Sequence, residues 1–293
     1  MEFDGDRVIS FKEAMILDSP PKKMIIIGSG AIGSEFAYYY NEFGTEVHII
    51  EILDRILPIE DADVSKEVEK SFKKSSIKIS TGTKVSKIES LKTKVKVHAE
   101  RKGKKEILEG DLALLAVGVT GNIEYLGLEE LGIETNAGTI KINEFNQTNI
   151  PNIFAIGDVS GPPWLAHVAS AQGHVAADHT AGDSPKPVDY TNIPTCTYCQ
   201  PQVGSLGMTE AQAKESGHDV KIGKFLFQAS GKAMAVGDTT GFVKLVFDGK
   251  YGELLGAHIV GSEATELIAE LGMAKSLETT WEEIAMTIHA HPT

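Results

Sequence analysis

Only two of the 293 residues are cysteine, Cys196 and Cys199. That scarcity excludes a disulfide framework as the source of the fold and fits a reducing compartment. Long apolar runs are also missing. The longest wholly apolar stretch, Leu112–Val119, falls far short of the ~20 residues of a membrane-spanning helix. Positive charge is in deficit, since 28 Lys and Arg against 41 Asp and Glu give a net charge of −13. No Lys/Arg-rich block stands out from its surroundings, and without a basic face to neutralise phosphates a nucleic-acid partner is not expected. The opening residues, MEFDGDRVIS, are polar and mixed in charge, unlike a secretory signal. Internal repeats and low-complexity tracts are absent as well. What is present is a globular core: hydrophobic residues make up 42% of a chain long enough for two domains with a third contributing pieces.

The most informative stretch is Met24–Glu51, MIIIGSGAIGSEFAYYYNEFGTEVHIIE. An apolar run, Met24 to Ile27, meets Gly28-x-Gly30-x-x-Gly33. A helical pattern follows, then a second apolar run, Val47 to Ile50, ending on Glu51. Strand, glycine turn, helix and strand in about 30 residues form the unit that binds a dinucleotide. The first glycine makes the tight turn, the second lets backbone approach the pyrophosphate, and the third packs helix on strand. The helix N-terminus presents N–H groups and partial positive charge to the phosphates. Glu51 stands where a carboxylate would accept both ribose hydroxyls of the adenosine half and repel a 2′-phosphate. The unit therefore asks for NAD rather than NADP.

Elsewhere the patterning is coarser. Arg7–Ser10 reads as a short strand, and Asp63 as the N-cap of an amphipathic helix through Lys73. Ile77–Ser80, Val85–Glu89 and Val95–His98 read as strands, the last two as a half-exposed antiparallel ribbon. Leu112–Val117 suits a buried parallel strand, with Gly118 at its carboxyl end, where ligands bind in open α/β sheets. Ile153–Ile156 reads as a second buried strand ending in Gly157-Asp158, and Leu165 to Thr180 as an Ala-rich helix containing Gly173. Beyond the Gly/Pro-rich linker 182–187, four runs have hairpin-like spacing: Val203–Gly207, Lys221–Phe227, Phe242–Phe247 and Leu254–Val260. Thr209 and Thr280 open capping boxes, and Glu263–Ser276 fits a helix between them. This last region is an antiparallel sheet with helices packed on it.

Met24–Glu51, the segment Thr148…Ile153-Phe-Ala-Ile-Gly157-Asp158, Trp164-Leu165-Ala166-His167 and the ending His289-Ala-His291-Pro-Thr293 occur in that order. This ordered set resembles the flavin-dependent pyridine-nucleotide disulfide oxidoreductases over essentially the whole chain. The HAHPT ending and Glu51 favour the dihydrolipoyl dehydrogenase branch over glutathione reductase. The resemblance implies an α/β fold: a Rossmann-like NAD-binding domain at 22–147, a remnant of an FAD-binding domain at 1–21 and 148–189, and a C-terminal α+β dimerisation domain at 190–293. It implies that Gly28, Ser29, Gly30, Ala31, Ile32, Gly33, Ser34 and Glu35 hold the NAD pyrophosphate, with Glu35 near the nicotinamide. Glu51 takes the adenosine ribose, while Val85 and Gly118 line the rest of that site. Asp158 hydrogen-bonds the ribityl chain of FAD, and the backbone of Trp164, Leu165, Ala166 and His167 runs along the flavin. His291 is the base for the dihydrolipoyl thiol, acting in the partner subunit's active site of a homodimer. Lipoyl domains of 2-oxo acid dehydrogenase complexes are the implied partners, with no nucleic acid or membrane involved. Localisation, by analogy with the family, is cytoplasmic.

Two departures qualify this. The family's own N-terminal GxGxxG and redox-active CxxxxC pair are not in this sequence, and neither is the glutamate that follows the HPT. The chain is therefore expected to be an internal piece of a longer enzyme, inactive alone toward dihydrolipoamide. Its flavin affinity is expected to be poor, since Asp158 supplies one charge-assisted hydrogen bond, about 1.5–3 kcal/mol. NAD binding is expected to survive. A non-catalytic NAD-binding and dimerisation module, or another disulfide reductase such as a mercuric one, are the alternatives. Cys196-Thr-Tyr-Cys199 has redox spacing but no following helix N-terminus or basic neighbour, so a structural role is expected. His289 is expected to make packing or hydrogen bonds, and no metal site is foreseen.

Overall fold

A computed structural model describes residues 2–293. Two compact units divide the chain: residues up to Val117 together with Pro194–Thr293, and Gly118–Ile193 between them. In the larger unit the first elements are β1 (Val8–Ile9), α1 (Phe11–Ala14), β2 (Lys23–Ile27), α2 (Ala31–Glu42), β3 (Glu46–Ile50), α3 (Ala62–Lys74) and β4 (Lys78–Ser80). They are followed by β5 (Thr83–Ser90), β6 (Val95–Arg101), β7 (Lys104–Gly110) and β8 (Leu112–Leu115). The strand expected at Arg7–Ser10 forms as β1 and pairs in parallel with β8, at the edge of a parallel sheet ordered β1-β8-β2-β3-β4.

Alternation along β2 divides this sheet between two cores. Met24 and Ile26 face a cluster with Ala37 and Tyr40 of α2 and Val64, Val68 and Phe72 of α3. Ile25 and Ile27 face the opposite cluster, which the antiparallel ribbon β5-β6-β7 closes with Val95 and Val97. Strand β7 was not foreseen: KKEILEG has no clean alternation, and most of its residues are exposed. Asp61, rather than Asp63, is the N-cap of α3. Its carboxylate accepts the Asp63 N–H at 3.0 Å, and the helix begins two residues earlier than its apolar spacing suggested.

The smaller unit holds the hairpin β9 (Thr135–Asn136) and β10 (Thr139–Ile140), a 3-10 turn at Gly157–Ser160 and the helix α4 (Ala166–Ala181). Its buried apolar cluster is small: Ile133, Ile140 and Ala155. The strand expected at Ile153–Ile156 does not form. Phe154 makes one isolated bridge to Gln147. Neighbouring bonds tie Thr148 N–H to Ile153 and Ala155 N–H to Asn146, because the short 146–148 stretch is the ribbon available as partner.

The chain returns to the larger unit with β11 (Thr195–Thr197), β12 (Gln202–Gly207), α5 (Glu210–Glu215), β13 (Val220–Leu226) and α6 (Gly231–Val236). The last elements are β14 (Phe242–Asp248), β15 (Leu254–Gly261), α7 (Ala264–Ser276) and α8 (Trp281–Met286). The strands form an antiparallel sheet ordered β11-β12-β15-β14-β13. Both expected capping boxes are present, at Thr209–Gln212 and Thr280–Glu283. Helix α7 packs on β12 and β15 through Ala264, Ile268 and Leu271. The first core of the parallel sheet runs on into Cys199, Val203, Phe242 and Val260, so the two large sheets share one apolar interior.

A buried polar seam fastens the same two sheets. Lys244, on the inward face of β14 and 3% exposed, contacts Asp61 at 2.9 Å, Asp63 at 3.1 Å and Glu210 at 2.8 Å. Burial pulls the Lys244 ammonium pKa down, but the three carboxylates outweigh this and hold it above its ordinary value. Beside it, the Ser205 hydroxyl donates to the buried Glu60 carboxyl at 2.5 Å, and His258 lies 3.1 Å from the Met208 carbonyl. Burial raises Glu60, with the Ser205 hydrogen bond opposing.

Candidate nucleotide site

Strand β2 ends at Ile27, and the chain turns sharply through Gly28 at φ +98°. A Cβ at Gly28 would strike the Ala116 carbonyl, and one at Gly33 would strike the Gly28 carbonyl. These two glycines are held by packing. Gly30 is different: a Cβ there meets nothing within 4 Å, so its backbone faces open space. Gly30 is also the N-cap of α2, and no side chain caps the helix. Uncapped N–H groups at the end of a 12-residue helix, reached past a bare glycine, are what a diphosphate requires.

Glu51 follows β3 at the same carboxyl edge of the sheet and is 6% exposed. One carboxylate oxygen accepts the Ser29 N–H at 2.9 Å and the Ser29 hydroxyl at 2.7 Å, and the other accepts the Leu53 N–H at 2.9 Å. A carboxylate has about four acceptor positions, so three protein donors leave one. The acid is thus pinned to the glycine turn before any ligand arrives. Ser34 is buried, its hydroxyl donating to the Ser29 carbonyl at 3.1 Å.

Glu35 lies further along α2, and its carboxylate accepts the Tyr198 N–H at 2.8 Å. Burial raises its pKa, and the Tyr198 hydrogen bond pulls the other way. It borders a cavity of about 350 Å³ with Ala14, Phe36, Tyr38, Tyr39 and Tyr198. Val85 sits half-buried on β5, packed against the Ile25 core. Gly118 takes φ +119° with open space around its Cβ position.

Within the smaller unit, Asp158 is exposed on the 3-10 turn that follows Gly157, at φ +73°. Gln172 holds that turn: its side-chain carbonyl accepts the Gly157 N–H at 2.6 Å, and its amide donates to the Tyr190 hydroxyl at 2.8 Å. Neither Gln172 nor Asn146, whose side-chain amide donates to the Gln172 backbone carbonyl at 3.1 Å, had a signal in the sequence. Trp164, Leu165, Ala166 and His167 lead into α4, whose N-terminus has no side-chain cap.

The thiols are ill-suited to exchange. Cys199 is buried and its pKa is pushed up to about 12 by burial, while Cys196 on β11 is also raised, by burial first. At the chain's end His291 is exposed, while His289 pairs with Glu270 at 2.7 Å, which raises the His289 pKa. The hydrogen-bonding role expected of His289 is therefore filled. No group of metal-ligating side chains occurs among the described residues, and no helix there is long and apolar enough to cross a membrane.

Fold and glycine turn together define the class: an α/β protein with a Rossmann-like NAD-binding domain and an α+β module. Comparison with known proteins agrees. The profile described as pyridine nucleotide-disulphide oxidoreductase matches residues 1–173, and the profile of that family's dimerisation domain matches 193–293. Dihydrolipoyl dehydrogenase of Rhizobium etli is 46% identical, over 100% of this chain and 61% of the relative. That of Bacillus subtilis is 44% identical, over 100% of this chain and 62% of the relative. Among solved structures, LpdA from Mycobacterium tuberculosis superposes with a TM-score of 0.91 at 27% identity, covering 99% of this chain and 63% of its own. The HOCl-induced flavoprotein disulfide reductase RclA from Escherichia coli gives 0.91 at 27%, over 100% and 66%. The chain belongs to the pyridine nucleotide-disulphide oxidoreductase family, whose members use FAD and NAD, and spans under two thirds of the length of these dihydrolipoyl dehydrogenases.

Proposed function

We propose that this chain is the NAD-binding and dimerising portion of a dihydrolipoyl dehydrogenase, an oxidoreductase that passes electrons from dihydrolipoamide through a cysteine pair and FAD to NAD. The observation that carries the reading is the glycine turn: Gly30 faces open space at an uncapped helix N-terminus while Glu51 is pinned beside it. The residues fit a dinucleotide. The α2 amides would hold the diphosphate, and Glu51 would take a ribose hydroxyl on its remaining acceptor position, or two if the Ser29 hydroxyl turns away. A 2′-phosphate would meet that carboxylate and be repelled, so NAD is preferred over NADP. Glu35, Val85 and Gly118 would complete the site.

Residues 22–147 would form the nucleotide domain and 190–293 the interface domain of a homodimer. Residues 1–21 and 148–189 would be later pieces of the flavin domain, with β1 lent to the nucleotide sheet. When bound, FAD would supply two-electron relay between thiols and nicotinamide. Toward it this chain offers the exposed Asp158 carboxylate and the uncapped start of α4 near Trp164–His167. His291 would accept the proton of a dihydrolipoyl thiol presented by the partner subunit. With its only cysteines buried or raised in pKa, the chain alone would bind NAD without turning over dihydrolipoamide.

Calorimetric titration with NADH and NADPH tests the reading. NADH should bind the more tightly, and tighter NADPH, or no uptake of either, would overturn it. Dihydrolipoamide turnover by the isolated chain would refute its inactivity, and a monomer mass in light scattering would refute the homodimer.

A further inference from the structure

The hairpin joining β6 to β7 carries Arg101, Lys102, Lys104 and Lys105 around Gly103 in a chain whose net charge is −13. In the sequence these cations are masked by flanking Glu100 and Glu106. Folding sets Lys105 opposite Glu100 across the ribbon and leaves Glu106 as the one carboxylate beside the other three cations. Arg101, Lys102 and Lys104 instead line one open cavity of about 450 Å³ with Ser80 and Glu106. None of the three has a carboxylate within ion-pair distance among the described residues, and all three are exposed.

Their location gives the cluster meaning. Ser80 ends β4 at the same carboxyl edge as Gly28 and Glu51, and its carbonyl accepts the Glu51 N–H at 2.9 Å. Arg101 stands opposite Thr83, whose N–H donates to the Glu51 carbonyl at 2.9 Å. Two strand spacings of ~4.8 Å, from Glu51 to Thr83 to Arg101, put Arg101 about 10 Å from Glu51, roughly one Debye length at 0.1 M salt, with Lys104 one spacing farther out.

We infer that Arg101, Lys102 and Lys104 form an electrostatic funnel that draws the anionic dinucleotide onto the glycine turn. This rests on the proposed NAD site and adds the device that fills it against the repulsion of the whole chain. A local positive patch at a site mouth raises association rates by about 10–1,000-fold and loses its effect as salt rises. Because the groups are exposed and beside the ligand rather than under it, they act on arrival and not on residence.

Stopped-flow binding of NADH to the unmodified chain gives a test of sign. Steering makes the association rate fall as ionic strength rises from about 20 mM to 500 mM, whereas the net negative charge alone would make it rise. The combined variant Arg101→Glu, Lys102→Glu, Lys104→Glu should slow association about tenfold at low salt and less than twofold at high salt, with dissociation unchanged. The neutral set Arg101→Gln, Lys102→Gln, Lys104→Gln should fall between, and circular dichroism verifies folding of both. An association rate that rises with salt in the unmodified chain, or a variant defect that persists at high salt, overturns the funnel while leaving the NAD site standing. Absence of any NADH binding overturns both.

Discussion

The larger unit and the segment Gly118–Ile193 hold a glycine turn in opposite ways. In the larger unit the glycine turn is clamped from below by Ala116, from the side by Gly33, and across by the Glu51–Ser29 bonds. Two sheets share one apolar interior, with Lys244 locked among three carboxylates. In the smaller segment the Gly157-Asp158 turn is held by two side chains, Gln172 and Ser160, in a unit whose apolar cluster has only three fully buried members. Rigidity in the first comes from burial over a wide area, and in the second from a few polar bonds. Local opening should therefore be far easier in the second.

The sharpest way to break this comparison is Lys244→Ala. It strands the buried Asp61 carboxylate without its cation, which costs about 3–5 kcal/mol. Urea unfolding should show that loss, and native-state hydrogen exchange should show the two large sheets opening almost as readily as Gly118–Ile193. Unchanged exchange in the sheets would mean that their apolar interior alone suffices.

Gly33→Ala sharpens the comparison at the turn. Its methyl must displace the Gly28 carbonyl, an overpacking cost of about 1–3 kcal/mol, with at least tenfold weaker NADH binding. Gly30→Ala should weaken NADH binding similarly with less than about 1 kcal/mol lost, since its Cβ meets nothing in the free protein. Thermal melting and calorimetry separate the two. Equal stability losses would mean that the turn is not packed as described.

A smaller effect follows from Glu60. Burial raises its pKa in the folded state, so the stability it contributes is complete below its ordinary value of 4.5 and is lost as pH rises through the raised value. Glu60→Gln removes that loss, about 1.4 kcal/mol per pH unit between the two values. Asp61 and Asp63 act oppositely. Their pKa values are lowered, because burial is outweighed by Lys244 for Asp61 and by Lys224 and Lys244 for Asp63. The stability from those ion pairs is present above pH 3.8 and is lost as pH falls through the lowered values. Denaturation across pH should therefore show, in Glu60→Gln, a flatter dependence from pH 4.5 up to the raised value and an unchanged limb below pH 3.8.

What was legible in the sequence is what depends on neighbours along the chain. The glycine turn, both capping boxes and the helices α2, α4 and α7 all rest on contacts within a few residues. What escaped depends on distant partners. Lys244 looks like a solvent-facing lysine until β14 turns it toward Asp61, and β11 is three residues long, visible only through its pairing with β12. Ile153–Ile156 failed for the same reason in reverse, having the composition of a strand without a partner along its length. Asp63 reads as the cap of α3 from its local spacing, and the Asp63 N–H bonded to the Asp61 carboxylate moves the cap to Asp61.

The excursion between Val117 and Pro194 also sets how the molecule must assemble. The parallel sheet and its antiparallel companion are encoded on either side of about 76 residues that contribute to neither. Closing a loop of that length costs on the order of 4 kcal/mol of chain entropy before the shared interior returns anything. During synthesis the Rossmann-like half emerges first and must wait, its share of the common interior uncovered, until Cys199, Val203, Phe242 and Val260 arrive to complete it. Protection of that surface during the delay falls to whatever the cell supplies, and the yield of soluble protein should be governed there rather than at the glycine turn.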